Sequence, residues 1–468
     1  ASKTPAHKDP ATLIGLYLEK IYENAVSEIA KSGYKEEEVR WCLTVPAIWD
    51  DFQKQRMRQA AVDAGMPDDP KRLVLAIEPE AAAHYARLSG VRTVGATSGR
   101  RANLLSPGTR FMLVDCGGGT VDITAYRTSS NGKLTEIGND HGGPFGSEYI
   151  NRHFVSEILC RKLGSTEFVA DLKKDHPRAF FDMLDAWERA KTGFGESFTD
   201  VYIHLPASVD RVLPEDVRTQ LAHDQDGITD AIVIREEEVE SCFDAVIPGL
   251  LTLIGKQLDE MQSTGATRKF PELIVLVGGF GKSSYLQRKI AERFRDRAEV
   301  LVPGEPEAAV LLGAAHFAYD PQTRARRTKS TYGIECVEQF NASHPKDKLV
   351  DIDGEPYCDD IFAKFVLAGD IVEIGYEKSK IFFPTTDSQS ALQINVCKAS
   401  TRHALYTTDA GVAHVGKVSV DLKAVRHLPK HEKSVRVTMH FGGTQIRVSA
   451  EVVKSGQRVE ASIDFEPN

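Results

Sequence analysis

Along residues 10–32, apolar side chains recur near one helical face, at Leu13, Tyr17, Ile21 and Ile29, and Gly33 supplies a stop. The spacing predicts a helix there, then a strand over 39–46 ending at Val45-Pro46 and a helix over 51–64 that stops near Gly65. A strand from Leu73 to Ile77 follows, then a helix opened by Glu78-Pro79, where proline's missing N–H costs little. Residues 91–108 are polar, rich in Gly, Ser and Arg and without period, and read as a surface loop. Beyond the apolar run Phe111–Val114, strand and helix patterns alternate to about residue 318. Helices are predicted over 147–163, 178–193, 236–262 and 283–295, and the strand Leu273–Val277 runs straight into Gly278-Gly279. This alternation implies an α/β core with helices over a central sheet.

The pattern changes at Asp320–Ser330, where Arg324, Arg326, Arg327 and Lys329 leave little apolar character. That stretch reads as a basic linker over 321–330, expected to stay solvated. Period-two alternation then takes over, as in Leu392/Ile394/Val396, Val435/Val437/Met439/Phe441 and Ile446/Val448/Ala450/Val452. Gly442-Gly443 joins the last two runs as a hairpin signal. Residues 331–468 are therefore expected to form a β-sandwich domain with no helical lid after it.

Composition narrows the class. The chain of 468 residues carries a net charge of −9, which argues against nucleic acid as the main partner. Its seven cysteines are an odd number with no CxxC pair, so neither structural zinc nor a disulfide framework is expected. A reducing compartment, the cytoplasm, fits best. No apolar stretch is long enough to span a membrane.

The candidate chemistry centres on Asp115-Cys116-Gly117-Gly118-Gly119-Thr120-Val121-Asp122, between two apolar strands. Three bare residues at a hairpin bend let backbone N–H groups surround a phosphate, with glycine's access to positive φ as one means. Asp115 and Asp122 flank the bend, where carboxylates can hold Mg²⁺ or its waters. A glycine-rich turn with solvated acids is the alternative. Gly278–Ser283 ends like a Walker A loop, but Leu276 stands where that motif needs its first glycine, so the segment reads as strand–turn–helix.

Several separated motifs, in order, resemble the 70-kDa heat-shock chaperone family with its actin-like ATPase domain. They are Leu43–Ala47 with Gln53-Lys54, Glu78-Pro79-Glu80-Ala81-Ala82-Ala83, the glycine run itself, and Glu188-Arg189-Ala190-Lys191. Val277–Phe280, Pro306–Ala309 with Gly313-Ala314-Ala315, Tyr332–Glu335 and Gly443–Ala450 complete the set. The diverged sequence most resembles the atypical 12A/12B branch of that family.

The resemblance implies an α/β actin-like (ribonuclease-H-like) two-lobed ATPase domain over 1–320, with a lobe boundary near residue 108, followed by the β-sandwich. It implies ATP or ADP with Mg²⁺ in a cleft. Gly117, Gly118, Gly119 and Thr120 would hold phosphates, Asp115 would meet Mg²⁺ through water, and Asp122 would stand on the phosphate side. Glu78 would orient or deprotonate the attacking water; a solvated acid starting a helix is the other reading. Glu188 and Lys191, three apart on a helix, would reach the adenosine hydroxyls, unless they form only a surface ion pair. Gly146, Gly278 and Gly279 would let nucleotide approach backbone, and Glu307 would lie near the base. Pro46 with Lys54 takes the place of a relay between nucleotide and β-domain, or is a strand-end proline with a solvated lysine.

The family's opening Asp-x-Gly-Thr phosphate loop has no counterpart before residue 40, so the first lobe is expected to be incomplete and the chain a fragment or a shortened product. Hydrolysis is expected to be slow unless that loop is supplied upstream. The function expected is an ATP-binding, stress-related chaperone with protein clients or peptides bound through 331–468 and co-chaperones as partners. The alternatives are a nucleotide-sensing scaffold with little turnover and, against the β-rich tail, a sugar-kinase-like phosphotransferase.

Overall fold

The computed structural model describes residues 9–94, 103–195, 200–263, 272–320, 323–373, 375–441 and 446–462. Helix α1 (Pro10–Lys31) leads to strand β1 (Trp41–Val45), helix α2 (Asp51–Asp63), strand β2 (Leu73–Ile77) and helix α3 (Glu78–Ser89). Each of these follows the predicted order. Asp50 caps α2 by accepting from the Gln53 amide at 2.9 Å, while the Gln53 side chain accepts from the Asp50 amide, so both ends of the capping box are satisfied. Strands β1 and β2 pair in parallel, Val45 opposite Ile77. That register brings the chain after β1 and the start of α3 to the same end of the pair.

A larger sheet of eight strands carries the rest of the first region. Its members are β3 (Val91–Thr93), β4 (Arg110–Cys116), β5 (Val121–Thr128), β6 (Leu134–Gly143), β9 (Glu272–Val277), β10 (Ala298–Pro303), β11 (Thr323–Arg327) and β15 (Ile371–Glu373). The short pair β7 (Val201–His204) and β8 (Ala231–Ile234) stands apart. Strand β4 lies centrally, antiparallel to β5 and parallel to β9. Its residues Phe111–Cys116 are all buried, and Phe111–Val114 make the apolar run that a strand covered on both faces requires before Asp115 interrupts it. Phe154, Trp187, Phe243 and Tyr285 dominate the core on one side of this sheet. Phe111, Tyr126 and the alanines of α3 fill the other.

Helix α3 meets the helix Ala309–Tyr319 at close range. A β-carbon on Gly313 would lie 1.8 Å from the Ala81 carbonyl oxygen. The small residues of Glu78–Ala83 and Gly313–Ala315 therefore set how near two backbones can come.

The predicted boundaries need four corrections. The helix expected over 236–262 is two, Glu236–Asp244 and Ile247–Ser263. Residues 147–163 hold a π-turn, Phe154–Leu159, between α-helical ends. The stretch 91–108 opens with a strand, while 95–102 lie outside the described residues. The fourth correction is the largest. The basic segment is no solvated linker from residue 323 onward. It forms β11, parallel to β6 on one side and antiparallel to β15 on the other. Arg326 is 7% exposed and ion-paired with the fully buried Glu80 of α3. Glu136 of β6 accepts from the Arg327 amide at 2.9 Å. Buried acids contributed by distant elements let a cationic strand enter the sheet.

Residues 331–462 supply two antiparallel sheets. One orders β13 (Leu349–Ile352), β14 (Glu355–Val366), β12 (Thr331–Gln339), β17 (Ala391–Ala399) and β18 (Val412–Asp421). The other orders β16 (Glu377–Phe382), β19 (Val435–His440), β20 (Arg447–Val452) and β21 (Arg458–Ser462). Their alternate apolar residues share one core, with Ile394, Val396, Val420, Val437 and Met439 within it. The predicted Gly442-Gly443 turn lies outside the described residues.

Candidate functional site

The antiparallel register of β4 and β5 sets Asp115 directly opposite Asp122 and leaves Gly117–Thr120 as the connecting loop. Two carboxylates across a strand pair repel. Both are buried, at 8% and 2% exposure. Glu78, the first residue of α3, is half-buried and faces the same charges. Burial, then Asp115 and Asp122, pushes its carboxyl up to about 8. Burial and Asp122 push Asp115 up to about 7. Asp122 rises as well, chiefly through burial, against the opposing pull of the Thr120 hydroxyl at 3.2 Å. The Ile48 backbone amide also favours its ionised form, and among the described residues its Oδ1 meets no hydrogen bond of good geometry.

The glycines matter for size rather than for φ. None of Gly117, Gly118 and Gly119 has positive φ, which corrects the expectation of left-handed backbone there. β-Carbons on Gly118 and Gly119 would meet nothing within 4 Å, so their backbone lies open on one side. On the other side Gly146 closes in. A β-carbon there would come 2.2 Å from the Gly118 carbonyl oxygen. The Glu148 amide donates to that same oxygen at 2.9 Å, and Ser147 to Gly117 O at 3.2 Å. The loop is thereby held by the start of helix Glu148–His153.

Parallel pairing of Asp115 with Val277 brings Gly278 against the acids. Gly278 has φ +82°, and a β-carbon would lie 2.5 Å from Asp115 Oδ1. Here glycine is needed both for conformation and for room. Its amide donates to Pro306 O at 2.8 Å, so the turn Pro306–Ala308 is tied to the end of β9. Gly279 is exposed with open space around it. Glu307 is exposed and paired with Lys282 at 2.7 Å, which commits its carboxylate away from the acid cluster.

Glu188 and Lys191 pair at 2.7 Å on the helix Pro177–Gly193. The pair is buried at one end, Lys191 being 4% exposed, while the Glu188 side chain is 47% exposed at the other. Asn151, unremarked in the sequence, joins them to the glycine loop. Its Oδ1 accepts from Lys191 Nζ and Trp187 Nε1, each at 3.0 Å, and its Nδ2 donates to Glu188 at 3.0 Å. The sequence signal was slight, a lone polar residue three positions after the loop-binding Glu148. Lys54, expected as a relay residue or a solvated lysine, is buried.

A magnesium ion fits this chemistry in one manner. Among the described residues no group of three or more His, Cys, Asp or Glu could ligate a metal by itself. Two facing acids with an orphaned oxygen instead suit an ion whose remaining ligands are water and phosphate.

Residues 106–303 match a family model described as a domain of unknown function, DUF8340. Human heat shock 70 kDa protein 12B is 29% identical, over 95% of this chain and 74% of that protein. Human heat shock 70 kDa protein 12A is 28% identical, over 96% of this chain and 74% of that protein. The chaperone protein DnaK of Stenotrophomonas maltophilia is 26% identical over 58% of this chain and 37% of its own. Such homology implies an actin-like ATPase fold. Within that class, the chain is a relative of the atypical 12A/12B branch of the 70-kDa heat-shock family, as its motifs suggested. Among the described residues no helix is long and apolar enough to cross a membrane.

Proposed function

We propose that this chain binds ATP or ADP with Mg²⁺ at the loop 117–120 and couples it to the capture of protein clients. One observation carries the reading: facing Asp115 and Asp122 flank an open glycine backbone that Gly146 presses from one side, while Gly278 packs against Asp115 and Cys116. The likeness to chaperones of the 70-kDa family supports it. In this reading residues up to about 320 make a two-lobed domain divided near residue 108, and residues 331–468 make a β-sandwich that holds peptide.

The Gly117 amide closes the loop by donating to Thr120 O at 3.0 Å, so the amides of Gly118 and Gly119 bind phosphate oxygens, and Thr120 completes the cradle. Bound Mg²⁺ neutralises phosphate charge. Asp115 and Asp122 would hold its waters, and in their ionised form they would be the groups that accept those hydrogen bonds. Glu78 orients the attacking water and, once its own carboxyl is ionised, accepts the proton. Asn151 holds Glu188 and Lys191 at the adenosine side; Gly279 leaves the base room, and Glu307 stands at the rim.

Purified chain should bind Mg–ATP in calorimetry, and D115N should weaken that binding. E78Q should keep nucleotide affinity while lowering single-turnover hydrolysis by about 10²–10³. Absence of Mg-dependent binding, or unchanged hydrolysis in E78Q, overturns the assignment.

A second reading, a nucleotide-sensing scaffold with little turnover, has its own support. Glu78 at about 8 is protonated at neutral pH and accepts no proton until a cation lowers it. Binding without client-stimulated hydrolysis would select the scaffold.

A further inference from the structure

A cavity of about 130 Å³ lies where the two regions of the chain meet, lined by Trp49, Asp51, Lys54, Lys329, Tyr332 and Lys398 among others. It is separate from the acid cluster of Glu78, Asp115 and Asp122, none of which lines it. Its charges are mostly answered. Lys329 pairs with Asp140 at 2.9 Å and Arg326 with Glu80. Arg327 Nη1 donates to Gly369 O at 2.8 Å. Asp51 accepts the Tyr332 hydroxyl at 2.5 Å, Asp50 caps α2, and Glu136 accepts an amide.

Lys54 is the exception. It is 7% exposed, it lines the cavity, and no hydrogen bond or ion pair meets its ammonium among the described residues. Burial lowers its pKa, and the nearby Lys329 and Arg326 add to that cost, while Asp51 and Asp140 offset part of it. A buried ammonium without a partner is expensive. Lys398 of β17, whose ammonium also meets no hydrogen bond or ion pair among the described residues, lines the same cavity from the other region. The space equals about four water molecules, enough for a small oxyanion.

We propose that this cavity binds a small free oxyanion, of phosphate or carboxylate type, held by Lys54 and Lys398. The anion completes the charge balance of the junction and ties the first region to the second. The site does not rest on the nucleotide reading.

The test is calorimetric titration of the full chain with inorganic phosphate, repeated with sulfate and acetate. The wild type should show saturable binding of at least one. K54M should weaken it by about tenfold or more, the loss expected when a charged hydrogen bond is removed from a buried site. K398Q should weaken it less, and T120A, which alters the glycine loop, should leave it unchanged. A phosphate-dependent rise in the unfolding midpoint should be present in wild type and absent in K54M. Should K54M not fold, K54R is expected to retain binding and K398Q to reduce it. No saturable binding of any of the three anions by wild type overturns the proposal. So does binding equal to wild type in both K54M and K398Q, or loss of the phosphate site in T120A, which would move it to the glycine loop.

Discussion

Asp115 and Asp122 stand opposite each other because of strand register, and their repulsion is a cost stored in the folded state. The sign of that cost with pH is definite. An acid whose folded pKa lies above its unfolded value binds more protons when folded, so stability falls as pH rises between the two. For Glu78 the window runs from the ordinary 4.5 to about 8, and for Asp115 from 3.8 to about 7. The nucleotide-free chain should therefore lose stability across that range. D115N should stabilise it at pH 8 by roughly 1–3 kcal/mol and change little at pH 4. Denaturant unfolding at the two pH values checks this; a D115N chain less stable than wild type at pH 8 would contradict it. The acids were legible as a pair flanking glycines. Their direct opposition, and the role of Asn151 in holding Glu188 and Lys191, became visible only with the neighbouring strands and helices in place.

Helices and strands were the most legible scale. The order from α1 to α3 followed from apolar period, capping residues and prolines, all local signals. What failed was marked by non-local forces. The β11 segment reads as solvent-loving because Arg326 and Arg327 are charged, and nothing nearby in sequence shows that Glu80 receives the Arg326 guanidinium, Gly369 O that of Arg327, and Glu136 the Arg327 amide. The crossing of α3 with the helix Ala309–Tyr319 shows the same logic in reverse: its small residues are visible in sequence, but their partner is not. G313V should force the two backbones apart and cost about 1–3 kcal/mol, the usual range for overpacking. Unfolding midpoints of G313A and G313V, with the valine variant the worse, would check the crossing.

At the scale of the whole molecule, β11 is the seam between regions. Its backbone joins β6 to β15, its Arg326 reaches α3, and Lys329 reaches Asp140. Helix α3 begins with Glu78, so the seam leans on the same helix as the acid cluster. Removing one partner of a buried ion pair leaves the other charge stranded. R326M should thus destabilise the chain by about 3–5 kcal/mol and expose the Arg324–Lys329 segment. Limited trypsin digestion reads this out. Wild type should resist cleavage at Arg327 and Lys329, and R326M should be cut there quickly. Equal digestion of both would show that the strand is not docked in solution.

The amino-acid sequence by itself determined the class of the chain, its sequence of elements, and the acids and glycines of the candidate site. Those rest on period, turn chemistry and motif, which act over a few residues. Tertiary structure alone decided which charges are buried together. It set Asp115 against Asp122, gave Arg326 to Glu80, and left Lys54 buried without a partner among the described residues, because electrostatic cost depends on distance and dielectric rather than on order along the chain.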